Sequence, residues 1–235
     1  MSNLATALVE AAERHPHRPA VCGEGSTLTY AELDEFSARA AGGMRAHGVG
    51  PGFRVGLRLP YGPVYAVLFF GALRAGAIVV PLYPRGPRHD ARAQDDACGA
   101  KLVFAAPDAN AARVAWTGDT TLVQAGPDFL DQVAFWPQHF EVTARTDRDA
   151  AVVIGTEGGT AAARGMTLSH RTLRDAAWTT RTLMAESVTD DSDGDGDGDR
   201  DGRAAYGLHA VVLSGACLPG GRGQAVTTRR PHAFP

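Results

Sequence analysis

No stretch of this chain is both long enough and apolar enough to cross a bilayer. The longest uncharged apolar run, Val64 to Ala72, falls far short of the ~20 residues a spanning helix needs. The amino-terminal segment carries Glu10 and Glu13 and reads as an amphipathic helix, not a secretory leader. Cysteine is scarce: Cys22, Cys98 and Cys217 stand far apart, with no CxxC pair, so neither a disulfide framework nor a thiolate zinc site is indicated. The histidines show no pairing at metal-ligand spacing, and no metal ligands are assigned. A G-x-S-x-G elbow is also missing, so no Ser/His/Asp arrangement has context. Positive charge is not in excess: the formal net charge of −3 gives no electrostatic footprint for a nucleic-acid partner. These absences lead to the expectation of a soluble, cytoplasmic protein without a membrane span.

What is present is a globular composition, 44% hydrophobic and 21% charged over 235 residues, enough apolar material for a real core. Leu4, Leu8 and Ala11 fall on one helical face, ahead of the breaker run His15-Pro16-His17-Arg18-Pro19. Ala20 to Cys22 and Ser26 to Thr29 read as two short strands. Thr29 and Glu32 form a capping-box pattern, and the following helix presents Leu33, Phe36, Ala40 and Met44 before stopping at Gly48. Phe53, Val55, Leu57 and Leu59 alternate with Arg54, Gly56 and Arg58, which predicts a half-buried strand. Val64 to Arg74 reads as a helix closed by Gly76. Residues 78–82, 102–105, 121–123 and 151–154 read as short buried strands. Strands alternating with helices predict an α/β layered fold, a largely parallel sheet with flanking helices. Ser169 is a plausible N-cap for a helix over 171–186 that presents Leu173, Ala177 and Met184.

Residues 190–201 differ in kind. They hold seven Asp and one Arg among Gly and Ser, a charge of −6 that leaves the rest of the chain about +3. Asp191, Asp193, Asp195 and Gly196 match the start of an EF-hand loop. Its twelfth position is Gly202, not the bidentate Glu required, so a solvated linker is the expectation.

The phrases Leu28-Thr29-Tyr30-Ala31-Glu32-Leu33, Gly48 to Val55, Phe70 to Ala77, and Val79-Val80-Pro81-Leu82, taken in this order and at this spacing, resemble acyl-CoA synthetases of the AMP-binding, adenylate-forming enzyme superfamily. The resemblance covers about residues 4–218, thins after 186, and implies the family's amino-terminal subdomain. Together with the acidic run and the tail without periodicity, it leads to an expected division into a partial AMP-binding domain over 1–189, an acidic low-complexity loop over 190–203, and a residual strand/helix segment with a frayed tail over 204–235.

The phrase that carries chemistry in the family, T-S-G-T-T-G-x-P-K-G, reads here Thr156-Glu157-Gly158-Gly159-Thr160-Ala161-Ala162-Ala163-Arg164-Gly165. Glycines let backbone N–H groups turn toward phosphate oxygens, hydroxyls add donors, and a cation balances charge. The resemblance therefore implies that Thr156, Gly158, Gly159, Thr160, Arg164 and Gly165 bind nucleotide phosphates. Arg164 keeps the lysine's charge but not its compact ammonium. Glu157 is adverse: two like charges ~4 Å apart at an effective dielectric of 20 repel by about 4 kcal/mol. Ala161 is strained if its position needs φ > 0, and Ala163 loosens the loop. The competing reading is a vestigial Gly/Ala loop that only joins two strands.

His170 lies in Leu168-Ser169-His170-Arg171-Thr172-Leu173, which resembles the family's phrase after the loop; a helix-start residue without chemistry is the alternative. The place of the family's acyl-pocket histidine falls on Ala204, and no catalytic residue is assigned. The resemblance implies ATP and Mg²⁺, with CoA and a carboxylic (fatty) acid as further substrates. It also leads to the expectation of a truncated chain, catalytically impaired alone. A split ligase completed by a second chain and a non-catalytic binding protein are the alternatives. Self-association or a partner chain would cover the exposed edge of a truncated domain.

Overall fold

The computed structural model describes residues 3–23, 26–82, 99–107, 120–126, 128–154 and 166–177. Its elements in chain order are α1 (Ala5–Arg14), β1 (Pro19–Gly23), β2 (Ser26–Thr29), α2 (Tyr30–Ala46), β3 (Arg54–Arg58), α3 (Pro63–Arg74), β4 (Ile78–Pro81), β5 (Leu102–Ala105), β6 (Thr121–Gln124), α4 (Phe129–Val133), β7 (Ala150–Ile154) and β8 (Met166–Ser169), followed by helical residues 170–177. β1 and β2 pair antiparallel as a separate ribbon. The other strands form one sheet in the order β6-β5-β3-β4-β7-β8, in which only β8 runs antiparallel to its neighbour.

Local chemistry accounts for most boundaries. The Thr29 hydroxyl accepts the Glu32 N–H at 3.3 Å, and Glu32 returns a carboxylate oxygen to the Thr29 N–H at 2.8 Å, so the predicted capping box forms. The backbone N–H of Thr29, then its hydroxyl, hold the Glu32 carboxyl below its usual range. The cap is therefore complete above that range and is lost as pH falls through the depressed pKa. Replacing Thr29 with Ala should cost about 1 kcal/mol in urea unfolding at pH 7. Gly48 and Gly76 stop α2 and α3 with φ of 76° and 77°, a left-handed turn that an L side chain resists.

Core side chains take both faces of the sheet. Val55, Leu57, Val79, Leu102, Phe104 and Val152 pack with α1, α2, α3 and α4, whereas Val80, Leu82, Ala100 and Val103 form a second cluster. Successive strand residues alternate between the clusters, as the period of two requires. Each large aliphatic or aromatic side chain buried this way contributes about 1.5–3 kcal/mol. α3 is apolar all round because it lies between α2 and the sheet, and Tyr65 through Arg74 are buried throughout.

The half-buried expectation for β3 needs correction. Of the predicted solvent-facing positions Arg54, Gly56 and Arg58, the last two are buried; a Cβ at Gly56 would meet the Leu82 and Val103 side chains, so the second cluster covers that face as well. Two further features went unpredicted. α4 docks through Phe104, Phe129 and Trp136, whose ring centroids lie 5.5–6.4 Å apart. Residues 134–140 then cross over α2: Ala134 O accepts from Arg39, and the His139 N–H donates to Ala38 O at 2.9 Å. Met184, the Asp-rich run 190–201 and the segments 190–203 and 204–235 lie outside the described residues.

Candidate functional site

The predicted phosphate-binding residues, Thr156, Gly158, Gly159, Thr160, Arg164 and Gly165, lie outside the described residues, as does Ala204. The frame that carries them is described. β7 pairs antiparallel with β8, and Ile154 stands opposite Met166. Residues 155–165 therefore join the two ends of a hairpin. β7 also runs parallel to β4, so Ile154 ends at the carboxyl edge of the parallel strands. In open α/β sheets that edge is where ligand crevices form.

A strand, β8, lies between the loop and the helix that follows it. In many phosphate loops the chain enters a helix directly, and the positive helix end faces the anion. Here β8 first carries the chain back along β7, and the helix starts only at 170. That helix start therefore lies at the far end of β8 from Met166. Arg164 is unremarkable in this chain, which has one lysine, Lys101.

The foot of the hairpin is well braced. The His170 N–H donates to Asp149 O at 3.2 Å and the Arg171 N–H to Asp147 O at 3.1 Å. Ser169 acts as the predicted cap, accepting the Thr172 N–H on its hydroxyl at 3.1 Å. Arg174 pairs with Asp147, and Arg145 lies 3.5 Å from Asp149. The Asp149 carboxyl, which accepts the Thr146 N–H at 2.7 Å, is held below its usual range chiefly by that bond. Leu173 is buried and Ala177 packs against the main core.

His170 stands at the helix start, as one reading had it, and it is buried. It is 0% exposed, and its Nδ1 accepts the backbone N–H of Leu4 at 3.1 Å. Asn3, which the sequence did not single out, is buried beside it in the chain's first turn. Its amide donates to Leu73 O at 2.7 Å and Thr143 O at 2.8 Å, while its oxygen accepts the Ala5 N–H at 3.0 Å. The one signal for Asn3 was its place just before an apolar helix, where Asn serves as a cap. Among the described residues no group of three or more His, Cys, Asp or Glu side chains could hold a metal ion. Nor is any described helix long and apolar enough to cross a membrane.

Comparison with known proteins places this frame in context. Residues 8–200 match the family model described as AMP-binding enzyme. A feruloyl-CoA synthase from Amycolatopsis sp. is 33% identical over 213 residues, covering 90% of this chain and 40% of that protein. A salicyl-AMP ligase / salicyl-S-ArCP synthetase from Mycobacterium tuberculosis is 46% identical over 86 residues, 34% of this chain and 15% of that protein. The crystal structure of apo MatB from Rhodopseudomonas palustris superposes with a TM-score of 0.68 at 26% identity, covering 78% of this chain and 38% of that one. The N-terminal domain of FACL13 from Mycobacterium tuberculosis, at 23% identity and a TM-score of 0.66, shares the fold. The chain thus spans well under half the length of these full-length relatives.

Proposed function

The chain belongs to the AMP-binding enzyme family, and on that premise we propose that it is the amino-terminal part of an ATP-dependent acyl-CoA ligase whose nucleotide-phosphate loop is residues 156–165. The observation that supports this most is the pairing of Ile154 with Met166, the residues that flank the motif, at the carboxyl edge of the parallel strands. In the proposed reaction a carboxylate attacks the α-phosphorus of ATP, the bond to pyrophosphate breaks, and an acyl-adenylate forms. The CoA thiol then attacks the acyl carbon and AMP leaves. Mg²⁺ would offset the triphosphate charge. Backbone N–H groups of Gly158, Gly159 and Gly165, the hydroxyls of Thr156 and Thr160, and the Arg164 guanidinium form a donor set suited to phosphate oxygens. Glu157 opposes it. Carboxylate and phosphate oxygens repel at close range, so we propose weakened ATP binding and no complete turnover by these 235 residues alone.

ATP–pyrophosphate exchange tests this directly. Aromatic acids head the panel, since two relatives are named for feruloyl and salicyl groups; fatty acids follow. The expected result is no exchange above background; exchange by the purified chain would overturn the inactive part of the reading. Glu157→Ser should tighten MgATP binding about tenfold, a fraction of the unscreened repulsion because Mg²⁺ relieves the rest. Unchanged affinity would remove the repulsion argument. A second chain that completes the ligase remains an alternative; restored exchange on mixing it with this chain would favour it.

A further inference from the structure

We propose that His170 is a positioning residue: its neutral imidazole, with the proton on Nε2, ties the amino-terminal end of α1 to the hairpin that carries the phosphate loop. This deepens the proposed function and rests on it, since the loop is the thing positioned.

The argument begins with hydrogen-bond roles. A neutral imidazole has one donor and one acceptor nitrogen. Nδ1 accepts the Leu4 N–H across 166 residues of sequence, so the proton sits on Nε2. An imidazolium would set N–H against N–H and lose the bond. The first turn of α1 needs this acceptor. Its neighbouring free donors are met by Asn3, whose backbone oxygen takes the Thr6 N–H and whose side-chain oxygen takes the Ala5 N–H. The Leu4 N–H is met by His170. Asn3 in turn bridges the end of α3 and Thr143. One backbone step beyond Ser169, the last residue of β8, the imidazole therefore joins the hairpin to a junction of three other segments.

The surroundings keep the ring neutral. It is fully buried, and its Nε2 has no hydrogen-bond partner among the described residues. Burial first, then Arg145, with Arg174 adding, lower its pKa to about 4 against the opposing pull of Asp149 and Asp147. The positive end of α1 acts in the same direction. The folded pKa lies below the unfolded value, so the unfolded chain binds the extra proton first. The tie is intact at neutral pH and is lost as pH falls through about 4.

The test compares His170→Leu with His170→Asn in the whole 235-residue chain. Asn offers an oxygen near the Nδ1 position. Amide exchange at Leu4 should quicken about tenfold in the leucine variant, the worth of one hydrogen bond, and stay within about threefold in the asparagine variant. MgATP affinity by calorimetry should follow the same order, about tenfold weaker against near parity. Unchanged Leu4 exchange in His170→Leu overturns the tie. Altered exchange with equal MgATP affinity in all three proteins overturns the positioning role. If the parent chain binds no MgATP, the phosphate reading falls and the exchange result still decides the tie. Should His170→Leu not fold, long-range proton–nitrogen spectra of the parent chain decide: a bare Nδ1 with Nε2–H down to pH about 5 supports the tie, and titration near the ordinary histidine value overturns it.

Discussion

Replacing Arg74 with Ala should destabilise the protein by about 3–5 kcal/mol, the largest single effect expected here. Arg74 is 1% exposed, yet it carries a guanidinium into the space between α3 and α2. There it pairs with Asp34 and donates to Phe140 O at 2.6 Å. Burial lowers the Arg74 pKa more than Asp34 restores it, and burial likewise raises the Asp34 carboxyl more than Arg74 lowers it. Desolvation therefore outweighs attraction for both partners. The pair is costly to hold, and costlier to break, because truncating the arginine leaves a carboxylate and a carbonyl without their donor. The measurement is the urea unfolding midpoint of Arg74→Ala beside that of Asp34→Leu with Arg74→Met. The double variant should recover most of the loss, since two apolar side chains need no mutual solvation. A single variant within 1 kcal/mol of the parent would show that the pair contributes nothing.

Gly42→Ala should cost about 3 kcal/mol, against the grain of helix propensity. At an exposed helix position the same change gains about 1 kcal/mol, because glycine loses more backbone freedom on folding. Gly42 lies inside α2, but a Cβ there would meet Pro137 O at 1.7 Å and its carbonyl carbon at 2.7 Å. Both are backbone atoms and cannot rotate away. At the next residue a Cβ would meet the Trp136 ring at 2.1 Å. The crossing of residues 136–138 over α2 thus depends on two bare positions, and alanine would push it off. The lost His139–Ala38 hydrogen bond should appear as faster exchange of the His139 amide. Unchanged or increased stability in the alanine variant would contradict the packing argument.

These two effects mark where reading the sequence stops. Asp34 and Arg74 are 40 residues apart, and nothing in either local pattern pairs them. Helix propensity alone disfavours Gly42 and Gly43; only the crossing segment turns them into a requirement. The same holds for His170, which the sequence brought forward for the motif around it but whose partner, Leu4, lies at the other end of the described chain. β8 was missed because four residues flanked by a cap signal carry too little periodicity to declare a strand.

What the sequence by itself determined was local. The capping box at Thr29, the glycine stops at 48 and 76, the apolar faces of α1 and α2 and the buried strands all depend on residues within about one helical turn or one strand of each other. Periodicity and capping are short-range physics, so they are legible without neighbours. The loop's departures, Glu157 above all, are equally a matter of sequence. Only the tertiary structure decided that β3 is covered on both faces, that the residues between the phosphate motif and the next helix pair with β7 as a strand, and that His170 meets the first turn of α1. Each of these depends on which distant group arrives beside a given side chain, and burial then sets its charge, its hydrogen bonds and the room left for a single methyl group.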